Sequence, residues 1–450
     1  LTPARSALSE SPDDPPAEGE GGPFALTRYW SYREVVAEGL RHPIQSETEA
    51  LEALEQVLAE AIKGQSFADV PVGTFLSGGI DSSLVVALYQ KYSSQPVRTY
   101  SIGFEESEFD EAGYAKAVAA HLGTIHHEHY VTVDEARNVI PLVPTMYDEP
   151  FADSSQIPTH LVSRFARRDV TVALTGDGGD ELFAGYNRHF LLPQLWRQLS
   201  RLPRGLRSAA ASPLTRLPIG FWAGVGQMLA KGDQPLLGAR IQKALRIARS
   251  ASSPDDVYKS SLDEWSFEPS PVLGDSGRDC PFDLDLGMEA PAAIRMMYCD
   301  AISYLPDDLL HKVDRASMAV SLETRVPFLD HRVAALAARI PLDMKVRGFS
   351  GKHILRQILY RQAPAELFDR PKAGFSVPVG EWIKGPLRDW AEDLLSPERM
   401  AEDGWFDAAI VRQRWHDHLA GRRDSTPALW AVLMFQSWQR HQLQTISAAA

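Results

Sequence analysis

Two short segments of this chain carry residue types and spacings that could do chemistry. The first is Ser77-Gly78-Gly79-Ile80-Asp81-Ser82-Ser83, directly after the apolar run Val72-Gly73-Thr74-Phe75-Leu76. Two glycines let backbone approach a ligand closely, and free N–H groups at the start of a following helix favour an anion. Ser77, Ser82 and Ser83 add hydroxyl donors. Asp81 sets a carboxylate among groups otherwise suited to phosphate, so a cation is needed between the two, and Mg²⁺ is the usual one. The segment lacks Gly-Lys-Ser/Thr and is not a Walker A loop. A ligand-free capping turn is the bland alternative, but seven such residues behind a buried strand argue against it. The second segment, Thr175-Gly176-Asp177-Gly178-Gly179-Asp180-Glu181, follows the apolar run Val170–Leu174. Three acids within five positions repel one another, which calls for a cation or for a raised pKa on one of them.

Both segments need a scaffold that delivers them to one place. Ser46-Glu47-Thr48-Glu49 has a capping-box pattern and opens a helix marked by Leu51, Leu54, Val57, Leu58, Ala61 and Ile62. The runs Val72–Leu76, Val97–Ile102, Ile125–Val131 and Val170–Leu174 read as strands. Helices are expected after Ser83, over Asp110–Leu122, and over residues 134–147 and 156–168. Strands alternating with helices form βαβ units and a parallel sheet, whose ligands sit beyond the carboxyl ends of the strands. The strand signal fades after about residue 190. Residues 201–287 are irregular and rich in Pro, Ser and Gly, and long helical patterns dominate from Ile294 onward.

Composition sets the outer bounds. The 450 residues are 44% apolar and 23% charged, as in a globular protein, with a net charge of −13. That balance disfavours nucleic acid, which needs a basic footprint. The two cysteines, Cys280 and Cys299, are too few for a disulfide framework or a cysteine-based zinc site, so a reducing compartment is the default. No run of 18 apolar residues suits a membrane span. Residues 1–23 hold five prolines, three glycines and five acids, and read as a linker.

Ser77–Ser83 resembles the pyrophosphate loop of the PP-loop ATP pyrophosphatases, and Thr175–Glu181 resembles the second signature of asparagine synthetases. The likeness continues through Tyr147–Ser155, Tyr304–Leu310, Lys312–Ala319, Ser321–Asp330, Lys352–Arg356 and Arg370–Phe375, and covers about residues 29–440. It implies an α/β fold of the adenine nucleotide alpha-hydrolase type. Such a fold has a parallel sheet with helices on both faces and a mainly helical C-terminal portion. The expected division is a linker over 1–23 and one synthetase domain over 24–445. Within it, 24–190 would form the nucleotide-binding core, 191–290 a helical insertion, and 291–445 the part completing the site.

The resemblance further implies that ATP adenylates the β-carboxylate of aspartate and that ammonia displaces AMP. Leu76 and Ile102 would frame the adenosine, with Thr175 and Gly176 touching the nucleotide. Ser77, Gly78, Gly79 and Ser82 would hold the pyrophosphate portion. Asp81 and Asp180 would bind Mg²⁺, and Lys372 would stabilise charge on the departing pyrophosphate. Asp177 stands where asparagine synthetases commonly carry Glu, and a carboxylate there favours ammonia as nucleophile. Residue 1 is Leu, and no cysteine lies near it. The expectation is therefore a glutaminase domain upstream of Leu1, supplying ammonia from glutamine, in a cytoplasmic enzyme with homodimer formation left open. The alternative is a related PP-loop ligase that amidates or cyclises another carboxylate.

Three weaker features read as structural. His126, His127 and His129 fit solvated or strand-edge histidines rather than a metal site. Arg197, Arg201, Arg204 and Arg207 fit a solvated face. Trp382, Trp390, Trp405, Trp415, Trp430 and Trp438 fit a core.

Overall fold

A computed structural model describes residues 29–104, 112–217, 221–222, 224–225, 237–265, 268–275, 286, 288–369 and 377–449. The expected linker over 1–23 lies outside them. Five strands make one sheet: β1 (Val72–Phe75), β2 (Arg98–Phe104), β3 (Ile125–Val131), β4 (Val172–Leu174) and β5 (Glu323–Arg325). Their order is β3-β2-β1-β4-β5, and every pairing is parallel. From β1 the chain builds outward through β2 and β3 on one side, then returns to lay β4 and β5 on the other. The order therefore reverses between β1 and β4, where Val72 pairs with Val172 and Thr74 with Leu174. A crevice opens beyond the carboxyl ends of strands at such a switch point. Both glycine turns follow those two strands.

Helices cover both faces of the sheet, as an α/β fold of this kind requires. On one face Leu54, Leu58 and Ile62 of the helix Glu47–Gln65 pack with Leu84, Val85 and Leu88 of Ile80–Tyr92. Ile354, Leu355 and Ile358 of His353–Leu359 join the same core. On the other face Tyr100, Ile102, Ile157 and Leu161 pack with Trp382, Trp415 and Trp430. The C-terminal helices thus complete a core that the first strands begin. The expected α/β sheet with a mainly helical remainder is the observed architecture.

Several expectations change in detail. The helix expected over 134–147 is three pieces: Val133–Arg137, a 3₁₀ turn Ile140–Leu142, and Val143–Met146. Pro141 and Pro144 lack the N–H groups that a continuous helix would use. Strand β5 had no sequence signal, because Glu-Thr-Arg is short, polar and without alternation; it forms by pairing with the edge that β4 offers. Arg207 is buried rather than solvated. Its guanidinium donates to the carbonyls of Leu202, Ala248 and Ala251, the last two at the end of the helix Leu237–Ser250. Trp382, Trp415 and Trp430 are core, whereas Trp405 is half exposed. His126 hydrogen-bonds Thr99 and Ser101, and His127 stacks on Tyr100, so these histidines bind β3 to β2.

Candidate active site

Leu76 ends the buried path of β1, its N–H donating to the Tyr100 carbonyl at 3.0 Å. The chain then turns through Gly78, whose φ of +73° is left-handed. A Cβ there would also meet the Ala115 nitrogen at 2.9 Å, so this close turn needs glycine. The Ser77 and Ser82 hydroxyls meet at 3.0 Å, and the Ser77 hydroxyl accepts from the Gly79 N–H at 3.2 Å. Gly79 caps the helix Ile80–Tyr92 with no side-chain hydrogen bond. An uncapped helix start at the floor of a crevice presents N–H groups and positive dipole to an anion.

The second turn lies against the first. A Cβ on Gly176 would stand 2.7 Å from the Ser82 nitrogen, closer than packed atoms allow, so glycine is what lets the turns touch. Together they line a cavity of about 710 Å³. Leu76, Ser77, Gly78, Gly79, Asp81, Ser82, Ile102, Thr175, Gly176, Asp177 and Asp180 all form its wall. Lys372 lies outside the described residues.

Burial is the leading cause that raises the Asp177 carboxyl above its ordinary range, and Asp180 adds to it. Lys312 and a hydrogen bond with Thr175 pull it back in part. Charge crowding, the cause anticipated from the sequence, is therefore secondary. Glu181 is fully buried, and the Tyr186 hydroxyl donates to its Oε1. Burial first, then Asp180, pushes its carboxyl up to about 7. Its Oε2 has no hydrogen-bond partner among the described residues.

Lys352 joins the two turns. Its ammonium contacts Asp81 and lies 2.7 Å from Asp180 Oδ1, while its side chain is 7% exposed. Burial alone would lower the ammonium pKa, but Asp180 and Asp81 outweigh it and the net shift is upward. Its φ of +58° is uncommon for a residue with a side chain, and Lys352 N donates to the Phe183 carbonyl at 3.0 Å. Asp81 and Asp180 are hard oxygen donors of the kind Mg²⁺ takes, one or two carboxylates beside phosphate oxygens and water. Among the described residues no group of three or more His, Cys, Asp or Glu converges as an all-protein cage.

A further ion pair lines the same cavity. Lys312 Nζ lies 2.7 Å from Asp153 Oδ2 and 2.7 Å from the Ser155 hydroxyl. Ser155 N–H and hydroxyl each donate to Asp153 Oδ1 at 2.8 Å. Burial would raise the Asp153 carboxyl, but Lys312 and these hydrogen bonds hold it below its usual range. Sequence reasoning assigned no role to Lys352, Lys312, Asp153, Glu181 or Tyr186. Lys352 and Lys312 stand in segments recognised as motif-like, and their spacing from the acids they meet, 271 and 159 residues, hides the pairing.

A parallel sheet that brings two glycine turns and facing carboxylates to its switch point defines this as a PP-loop α/β domain. The asparagine synthase family model matches residues 53–440, so the chain belongs to the asparagine synthase family. Relatives include asparagine synthetase [glutamine-hydrolyzing] 1 of Bacillus subtilis, 32% identical over 398 residues, which span 88% of this chain and 60% of that protein. A putative asparagine synthetase [glutamine-hydrolyzing] of Mycobacterium tuberculosis is 32% identical over 420 residues, 92% of this chain and 60% of its own length. The amidase chyE of Penicillium rubens is 26% identical over 443 residues, 90% of this chain and 64% of its own. The chain thus spans about 60% of the length of the two synthetases. Among the described residues no helix is long and apolar enough to cross a membrane.

Proposed function

We propose that this chain makes asparagine from aspartate and ATP through a β-aspartyl-AMP intermediate, with ammonia as nucleophile and AMP and pyrophosphate as products. The observation that carries the reading is the pairing of Asp81 and Asp180 across Lys352, beside an uncapped helix start, in one cavity. The N–H groups at Ile80–Ser82 and the Ser77 and Ser82 hydroxyls bind the pyrophosphate portion of ATP. Leu76 and Ile102, both buried, form the apolar wall for adenosine, next to Thr175 and Gly176. Asp81 and Asp180 would hold Mg²⁺, which supplies charge neutralisation for the phosphates when bound. Lys352 then has phosphate oxygens within reach in place of its carboxylate partners. Lys372 is assigned to the departing pyrophosphate on motif resemblance alone. Asp177 takes the proton that ammonia loses on attacking the acyl-adenylate, and its raised pKa suits a proton acceptor.

Glutamine hydrolysis, part of the relatives' names, is proposed to be the work of a separate glutaminase domain that delivers ammonia to this one. A second reading, amidation of another carboxylate, draws support from the amidase-named relative and from Asp177 in place of the usual Glu. One experiment addresses both. Pyrophosphate, AMP and amide are measured with ATP, Mg²⁺, ammonium and a panel of carboxylic acids. Aspartate-dependent AMP and pyrophosphate are expected. Release triggered by another acid and not by aspartate would move the chain to the second reading, and ADP with phosphate would overturn adenylation.

A further inference from the structure

We propose that Asp300, which stands outside the cavity lining, is a positioning residue for the reaction: it fixes the Tyr186 ring from behind and, through the Tyr186 hydroxyl, the Glu181 carboxylate in the cavity wall. This rests on the proposed reaction, because one of its readouts is the adenylation step. Asp300 opens the helix Asp300–Leu310 and is fully buried. Its two oxygens accept four hydrogen bonds from three side chains. Arg188 donates from Nη2 to Oδ1 at 2.9 Å and from Nε to Oδ2 at 3.0 Å. The Tyr258 hydroxyl donates to Oδ1 and His189 Nε2 to Oδ2, both at 2.6 Å. An ionised carboxylate only accepts, so the His189 proton sits on Nε2. Burial would raise the Asp300 carboxyl, but His189 and Arg188 outweigh it and hold the group below its usual range.

Two of these donors lead directly to the site. Arg188 and His189 lie in the first turn of the helix Asn187–Leu199, just after Tyr186. The Arg188 guanidinium lies 4.2 Å from the centre of the Tyr186 ring, and the His189 ring meets that ring edge-on with centroids 5.4 Å apart. Tyr304, on the helix that Asp300 opens, packs edge-on against the same ring at 5.9 Å. These three side chains are all tied to Asp300, two by hydrogen bonds and one by the chain. The Tyr186 hydroxyl donates to Glu181 Oε1, and both residues line the cavity. Glu181 follows Asp180 on the short helix Gly179–Leu182, so what fixes Glu181 also steadies the carboxylate proposed to hold Mg²⁺. Tyr258 comes from the helix Pro254–Leu262, well away in sequence from either glycine turn. That helix therefore reaches the site through one buried carboxylate. Groups that orient a metal-holding side chain typically matter about 10–100-fold in affinity or activity.

Asp300→Asn keeps the shape and removes the charge. Whichever oxygen becomes the amide nitrogen, two donors then face a donor, and Arg188 loses its counter-charge. Pyrophosphate release at saturating ATP, Mg²⁺ and aspartate should fall about 10²-fold, the scale of a misplacement of about 1 Å caused far from the chemistry. Binding of Mg²⁺–ATP, measured by calorimetry, should weaken about 10-fold with its stoichiometry intact. Tyr258→Phe removes one hydroxyl from the remote helix and should move both readouts in the same direction by a smaller factor. In a Tyr186→Phe background, Asp300→Asn should cost no more than about twofold further, because its route to Glu181 is already cut. Loss of stoichiometry at unchanged affinity marks misfolding alone and overturns the positioning role, as does a cost that is the same with and without the Tyr186 hydroxyl. Release and binding unchanged in both single variants also overturn it. In these outcomes release by the unaltered chain leaves adenylation standing. No release by the unaltered chain overturns adenylation, and the binding readout then decides the positioning role by itself.

Discussion

Replacing Lys352 by methionine keeps most of the side-chain volume and removes the charge between Asp81 and Asp180. The contact with Asp180 is 2.7 Å long, and the Lys352 side chain is 7% exposed. At an effective dielectric near 20, one such contact is worth about 6 kcal/mol of gross attraction, much of it offset by desolvation. Breaking a buried pair from one side costs about 3–5 kcal/mol. The side chains of Asp81 and Asp180 are 17% and 21% exposed, so solvent screening reduces the expected loss to about 2–3 kcal/mol. The Lys352→Met protein should therefore melt several degrees lower than the parent without divalent cation. Mg²⁺ should restore more of that loss in the variant than it adds to the parent, since the ion then stands in for the ammonium charge between the two carboxylates. Pyrophosphate release should fall about 10²–10³-fold, the scale for removing one positioned donor from a developing charge. Thermal melting with and without Mg²⁺, and a pyrophosphate assay, read these effects. Unchanged melting together with unchanged release would refute the bridge as a working part of the site.

Three further outcomes follow from the geometry. Gly176→Ala should separate the two turns, because its Cβ would stand 2.7 Å from the Ser82 nitrogen; ATP binding measured by calorimetry should weaken at least about 10-fold while the fold persists. Asp177→Asn should slow amide formation about 10²–10⁴-fold and leave pyrophosphate release much less affected, measured as the two products in parallel. Burial is the leading cause that lowers the pKa of His126, His160, His189 and His418, so the fold disfavours their protonation. Their contribution to stability is present above the unfolded value near 6.5 and is lost as pH falls from there through the folded values. The melting temperature should thus decline between about pH 7 and 5, and a flat profile would contradict it.

Strands β1 and β4 were legible because each is an apolar run that ends in a glycine turn, and both turns announced themselves by composition. Those signals are local. Strand β5 was illegible, since Glu323-Thr324-Arg325 is a strand only because β4 has an open edge. Lys352 and Lys312 were illegible for a similar reason. A lysine's partner is set by tertiary approach, and nothing near either residue in sequence points to Asp81, Asp180 or Asp153. Arg207 looked like one of four surface arginines until the helix Leu237–Ser250 placed carbonyls around it. The carboxylate at 177 was legible as a candidate base, but the dominance of burial over crowding required the cavity wall.

The central claim is that the acceptor carboxylate attacks the α-phosphorus of ATP and that ammonia then releases AMP. Aspartate labelled with ¹⁸O in its β-carboxylate tests this most directly, in a reaction with ATP, Mg²⁺ and ammonium, followed by mass analysis of the products. Adenylation forms a bond between a labelled oxygen and phosphorus, and amide formation leaves that oxygen on AMP. The account predicts one ¹⁸O in AMP for each asparagine made and none in pyrophosphate. Labelled inorganic phosphate beside unlabelled ADP would contradict it, because the carboxylate would then have been activated at the γ-phosphorus.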